Sequence, residues 1–304
     1  MNLQVLFCLI AVLGSVFGQQ SGCKGPVFKV NGVNQIREVL KTNLNSAASL
    51  SYDSSTNTLF FSYRSDKNVY SVLFGKFNLN NNEFETISGV EYQQIQLSNT
   101  LSSNSFISIE YIHGETAVDA KTNNVYIQST GGFYRYNKNT NRPELCSAKD
   151  SNIASYAYML FVKSDIIYYA TDPNFYLFIM ENGVASKFKD LETNQVRELV
   201  IDDYDNIYIA NDTGLYRQKI GSQKAVYYKE SKGLVDGLVI NQVGDVYAYA
   251  GSSGVYAISR NTNVMEKILD DTVLGLTFDG GYNMVYSDKT NLFILKPNND
   301  PNCV

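Results

Sequence analysis

Residues 200–216 read VIDDYDNIYIANDTGLY. An apolar run, Val200-Ile201, stops at Asp202; four residues turn the chain, and Ile207-Tyr208 opens a second apolar run. Gly214 then turns into a third, Leu215-Tyr216. β-Branched and aromatic residues in runs this short, bounded by Asp, Asn and Gly, are strand and turn signals. Turns of a few residues join antiparallel neighbours. An aspartate closing the first strand is placed to accept N–H bonds from the turn backbone.

The same unit recurs. Clear copies run from Leu50 through Asp53 to Leu59-Phe60 and from Ala117 through Asp119 to Val125-Tyr126. Two more run from Val239 through Asn241 to Val246-Tyr247 and from Thr277 through Asp279 to Val285-Tyr286, and a degenerate one runs from Phe161 through Lys163 to Ile167-Tyr168. The six anchors, Asp53, Asp119, Lys163, Asp202, Asn241 and Asp279, are 66, 44, 39, 39 and 38 residues apart. Four strands of five to six residues with short turns need roughly 40 residues, the size of one propeller blade. The reading is an all-β, six-bladed β-propeller with an insertion in its first interval. The aromatic that follows each second-strand aliphatic, Phe60, Tyr126, Tyr168, Tyr208, Tyr247 or Tyr286, is expected to pack between neighbouring blades.

After Asp279 the chain has room for only two more strands, so the sixth blade lacks its outermost one. The segment from Ile36 to Lys41 precedes Asp53 at the spacing an outermost strand would have, and it is expected to close the ring. Closure removes the open sheet edges of a linear array.

The apolar run from Leu6 to Phe17, ending in Val16-Phe17-Gly18, is too short to span a bilayer and reads as a signal peptide over residues 1–18. One propeller domain is expected over 19–304, secreted to the extracellular fluid. The mature chain then keeps Cys23, Cys146 and Cys303. In an oxidising compartment two of the three should pair; Cys23 with Cys303 would join the termini and leave Cys146 as a buried, inert thiol or a reactive one. The sequon Asn211-Asp212-Thr213 falls in a turn and is a candidate glycosylation site. A net charge of −5 without blocks of like charge gives no reason to expect nucleic acid or a membrane as partner.

Chemistry is sparse. The single histidine, His113, rules out multi-histidine metal sites, and no nucleophile elbow or phosphate-binding loop is present. An enzymatic alternative is a calcium-dependent lactonase, for which Glu115, Glu198, Asp172, Asp212 and Asp288 sit where first strands begin or second strands end. The same face gathers Tyr63, Arg64, Tyr111, His113, Tyr156, Tyr158, Arg197 and Lys289. Aromatic and basic groups together suit a planar, acidic, aromatic ligand, with Tyr63, Arg64, Tyr111, His113, Tyr156 and Arg197 as its candidate contacts.

Several segments together resemble the insect ommochrome-binding proteins, secreted haemolymph carriers of tryptophan-derived pigments. They are residues 38–41 (EVLK), 57–63 (NTLFFSY), 187–192 (KFKDLE), 213–216 (TGLY), 225–229 (AVYYK) and 295–297 (LKP), followed by Cys303. The resemblance spans nearly the whole mature chain. It implies a non-catalytic, cofactor-free monomer that carries a small aromatic pigment, and it transfers no contact residues.

Overall fold

A computed structural model of the chain describes residues 27–30, 33–65, 71–93, 114–129, 131–146, 157–171, 175–191 and 195–298. Six antiparallel sheets stand around one axis. Blade 1 comprises Ala48–Asp53, Thr58–Arg64, Ser71–Asn78 and Glu83–Gln93, and blade 2 Glu115–Val118, Val125–Ser129, Gly132–Asn137 and Arg142–Leu145. Blade 3 comprises Ala157–Lys163, Ile166–Thr171, Tyr176–Glu181 and Val184–Lys187; blade 4 Glu198–Ile201, Asn206–Asn211, Gly214–Lys219 and Ala225–Tyr228. Blade 5 follows with Gly237–Ile240, Val246–Tyr249, Val255–Ile258 and Met265–Leu269. Each first strand contacts the first strand of the next blade, and the sixth returns to the first, so the ring is closed. The structure is the expected six-bladed β-propeller. The long first interval contains residues 94–113, between the last strand of blade 1 and the first of blade 2, which lie outside the described residues.

Blade 6 is built from both ends of the chain. Gly275–Phe278, Met284–Ser287 and Asn291–Pro297 are completed by Val33–Thr42, which pairs antiparallel with Asn291–Pro297 from Gln35↔Pro297 to Thr42↔Asn291. The expected closing segment thus lies inside a longer strand, and a fifth strand, Val27–Val30, hairpins onto it. The seam is held by more than ladder bonds. Arg37 pairs with Asp271 at 2.8 Å, and its guanidinium stands 4.7 Å from the Phe28 ring and 4.8 Å from that of Phe293. A desolvated cation between two π faces is favourable by about 1–2 kcal/mol. Cys23 and Cys303, expected to lock this seam, lie outside the described residues.

The anchor aspartates act as turn acceptors. Asp202, with none of its surface exposed, takes the N–H groups of Tyr204 at 2.8 Å and Asn206 at 2.9 Å. Asp279 does the same for Gly281 and Asn283, both at 2.8 Å, and Asn241 for Val243 and Asp245. The turns also tie blade to blade. Lys138 of blade 2 pairs with Asp53 of blade 1 at 2.6 Å, the backbone N–H of Asp165 in blade 3 donates to Asp119 of blade 2 at 2.7 Å, and Arg260 of blade 5 reaches Asp202 of blade 4. Burial works against ionisation of Asp53, but Lys138, Thr56 and Ser55 outweigh it and hold the carboxyl below its ordinary range.

The core is a series of apolar layers between blades. Strand alternation sends one second-strand residue to one layer and the next to the other. In blade 4 Ile207 packs towards blade 3, with Leu177 and Tyr168, while Tyr208 packs towards blade 5, with Val246 and Leu238. Phe60, Tyr126, Tyr168 and Tyr247 follow the same rule. Tyr286 does not. Phe278, the residue before Asp279, pairs with Met284, just as Ile201 before Asp202 pairs with Ile207, so Met284 is the counterpart of Ile207 and Val285 that of Tyr208. The sequence alignment of Val285-Tyr286 was one residue off, and a one-residue slip exchanges faces. Tyr286 therefore points back to blade 5, fully buried, and its hydroxyl donates to Asp271 at 2.7 Å.

Candidate functional site

The first strands wall a central channel with two unlike ends: a start face, where they begin, and a turn face, where they stop at the anchors. A cavity of about 470 Å³ lies in the half of the channel nearer the turn face. Every blade contributes. Leu50, Leu160, Val200, Leu238 and Phe278 supply apolar wall, Ser51, Thr116 and Thr277 hydroxyls, and Lys121, Lys163, Asp203 and Gln242 the rim. The hydroxyls of Ser51 and Thr116 bond each other at 2.9 Å, and Gln242 donates across the blade 5–6 boundary to the Phe278 carbonyl at 2.9 Å. A cavity of this size, mostly apolar with a few fixed polar groups, is suited to a small organic molecule. A smaller cavity of about 260 Å³ opens between blade 5 and the N-terminal hairpin, beside Tyr282 and Pro297.

At the start face the positions four residues before the anchors are Ser49, Glu115, Met159, Glu198, Gly237 and Gly275. Ser49 sits at a bulge in the first strand of blade 1 with φ of 50°, a left-handed conformation that turns its hydroxyl towards blade 2. There Ser49 Oγ donates to Glu115 Oε2 and accepts the Thr116 N–H at 2.8 Å. Gly237 is filled from across its own sheet: an added Cβ would stand 2.1 Å from a ring carbon of Tyr249. Asp236 precedes Gly237 and completes a group of acids around Tyr249.

These acids are held away from their ordinary state. Protein encloses Glu115, which pushes its carboxyl up to about 7 against the opposing Ser49 bond. Glu198 lies well above the carboxylate range, first through burial and then through repulsion by Glu115 and Asp236, with a backbone bond from Leu238 opposing. Asp236 is raised by burial, and Tyr249 is raised by burial and by all three acids. In all three acids burial favours the neutral form. Among the described residues no three His, Cys, Asp or Glu side chains are gathered as metal ligands. Asp212 is engaged by Arg197, and Asp288 caps its own turn by accepting the Thr290 and Asn291 N–H groups.

Of the aromatic and basic residues read as a binding face, Tyr63, Arg64 and Arg197 are among the described residues. The Tyr63 ring packs on Phe61 and Phe84 within blade 1, and its hydroxyl bonds Thr86 at 2.6 Å. The backbone N–H of Arg64 donates to the Asn45 carbonyl. Arg197 enters blade 4, across the ring, and pairs with Asp212 at 2.6 Å. Tyr111, His113, Tyr156 and Asp172 lie outside the described residues. Asn211 is half-buried in its turn, its Oδ1 accepting from Thr213 and its Nδ2 donating to the Gln195 carbonyl at 3.3 Å. Cys146 is a half-buried thiol beside the Phe133 carbonyl, and burial pushes it up to about 11, as an unreactive side chain requires. The turn-face cavity, Asp236 and Tyr249 are absent from the sequence-based candidates. Strand polarity was the signal for the cavity, since the hydroxyl residues Ser51, Thr116 and Thr277 fall near the ends of otherwise aliphatic first strands.

By fold the molecule is a six-bladed propeller similar to small-molecule enzymes and calcium-binding proteins. A gluconolactonase from Xanthomonas campestris superposes with a TM-score of 0.61 at 13% identity, covering 90% of this chain and 98% of the other. Regucalcin, a calcium-binding protein from Agrobacterium tumefaciens, gives 0.58 at 12% identity over 86% and 95%. In sequence the chain is related to the ommochrome-binding protein of Manduca sexta: the two are 27% identical over 276 residues, which is 88% of this chain and 90% of that protein. The resemblance carried by the quoted segments therefore extends along the chain. No family model matches. No helix among the described residues is long and apolar enough to cross a membrane.

Proposed function

We propose that the protein is a secreted, non-catalytic carrier of an ommochrome-like pigment, a tryptophan-derived aromatic. The cavity of about 470 Å³ carries this reading: it is walled by aliphatic and aromatic side chains and holds hydroxyl and lysine groups that orient a polar ligand. The relative named for ommochrome binding supports the ligand class. The expectations of a monomer without nucleic-acid or membrane partners, of a signal peptide over 1–18 and of a glycan on Asn211 belong to the same proposal. Absorbance titration of the purified chain with xanthommatin tests it. A saturable spectral shift at one ligand per chain is expected, and its absence across a panel of ommochromes overturns the reading.

A calcium-dependent hydrolase is the competing reading, favoured by the acids Glu115, Glu198 and Asp236 on the channel and by the fold shared with a gluconolactonase. Among the described residues no three such side chains are gathered as metal ligands, and Glu115 accepts from Ser49. Lactone turnover that calcium restores after chelation would replace the carrier by an enzyme; no turnover with calcium present is expected.

A further inference from the structure

Which mouth admits the ligand is decided by three features that coincide at the turn face. The cavity lies towards it, with Ser54, Asn123, Ser164 and Gly244 of the turns on its lining. Its rim is set with two lysines. Lys121 is exposed and makes no ion pair among the described residues; Lys163 donates to the Asp202 carbonyl and lies 3.9 Å from Asp203, which leaves further ammonium hydrogens for an anion. Exposed apolar side chains also gather there. Tyr204, Val243 and Tyr282 stand on successive turns of blades 4, 5 and 6, at 62%, 59% and 56% exposure. At the start face Glu115, Glu198 and Asp236 surround the channel, and the described Arg197 is already paired with Asp212.

Building on the carrier reading, we infer that the ligand is a flat, largely apolar anion that enters through the turn mouth. Its rings lie against Leu160, Leu238 and Phe278, and its anionic group lies between Lys121 and Lys163. A carboxylate meeting two ammonium groups at a rim gains orientation as well as affinity, because the apolar wall accepts only the other end of the molecule.

The chain has no tryptophan, so a single reporter can mark either end. Ser54→Trp places one on the turn mouth, and Thr290→Trp places one in the exposed start-face turn between Asp288 and Asn291. The two ends are separated by about 20 Å, the length of a six-residue strand. With xanthommatin as probe, indole emission from the Ser54→Trp variant is expected to be quenched at least threefold more strongly than emission from the Thr290→Trp variant. Lys121→Glu with Lys163→Glu is expected to raise Kd at least tenfold; because Lys163 also braces a neighbouring turn, the exposed single change Lys121→Glu is measured beside it, with a rise of at least threefold. Saturable binding that quenches the start-face reporter preferentially, or that ignores both lysines, overturns this inference while the carrier reading stands. Failure of the unmodified chain to bind at all overturns the carrier reading itself.

Discussion

The two ends of the channel use the same residue types to opposite effect. At the turn face, Asp53, Asp119, Asp202 and Asp279 close their strands with carboxylates that receive backbone N–H groups, and two of them also receive a Lys or Arg from the next blade. At the start face, Glu115, Glu198 and Asp236 meet few donors and one another, and all are pushed upward. An enclosed carboxylate with donors stabilises the fold and stays charged; one without them is a source of protons. At Asp53 the Lys138 ammonium and the Thr56 and Ser55 hydroxyls outweigh burial, whereas at the start face burial prevails. Asp53 has none of its surface exposed, yet its donors hold the carboxyl below its ordinary range.

The largest test of that distinction is at the scaffold end. Asp202→Ala strips acceptors from the Tyr204 and Asn206 N–H groups, from the Asn206 amide and from Arg260 in the next blade. Leaving such groups unpaired in a buried turn is expected to cost about 3 kcal/mol. Denaturant unfolding monitored by circular dichroism checks this, and a loss below about 1 kcal/mol would dissolve the contrast between the two ends.

The opposite sign is expected at the start face. Glu115 has a folded value of about 7 against an ordinary 4.5. Stability from this group is therefore fully present below pH 4.5, declines as the pH rises through 7 and is flat above it. Glu115→Gln removes the decline, so the variant should equal the parent near pH 4 and exceed it near pH 8. A shift of this size corresponds to roughly 3 kcal/mol at most; because the Glu115 residue keeps part of its surface exposed, the gain is expected at about 1–2 kcal/mol. Parallel stability curves for parent and variant across that range would show that Glu115 is charged in the folded protein.

The sequence displayed the scaffold more plainly than the site for a physical reason. The anchor aspartates and the residues around them repeat because every blade must solve the same turn and the same inter-blade packing, and a repeated solution leaves a period. Closure by the strand around Ile36 was legible in the same way, from the strand that blade 6 lacked. The one slip within the repeat, Tyr286, came from weighing residue type above turn length: Asp279 and Met284 are as far apart as Asp202 and Ile207, and counting from the anchor places Tyr286 on the face towards Asp271. The acids of the start face were half legible, since Glu115 and Glu198 both stand four residues before an anchor aspartate. Nothing local marks Asp236 and Tyr249 as their neighbours, because their proximity arises only when six blades close on one axis. Sites made by ring closure have no spacing along the chain.

Arg197 gives the smallest expected effect and the most direct comparison of the two ends as ligand mouths. Its guanidinium pairs with Asp212 at 2.6 Å, with both side chains more than half exposed, at 52% and 57%. Solvent screens such a pair, so Arg197→Ala should change stability by no more than about 0.5 kcal/mol, and by less in high salt. If pigment enters at the turn face, the same variant keeps its affinity for xanthommatin within twofold, while Lys121→Glu at the far mouth does not. A tenfold loss on Arg197→Ala would restore the start face as the binding mouth and place the pigment's carboxylate on Arg197 in competition with Asp212. The Lys121 and Arg197 titrations, run at one ionic strength, decide between the mouths by which cation the pigment needs.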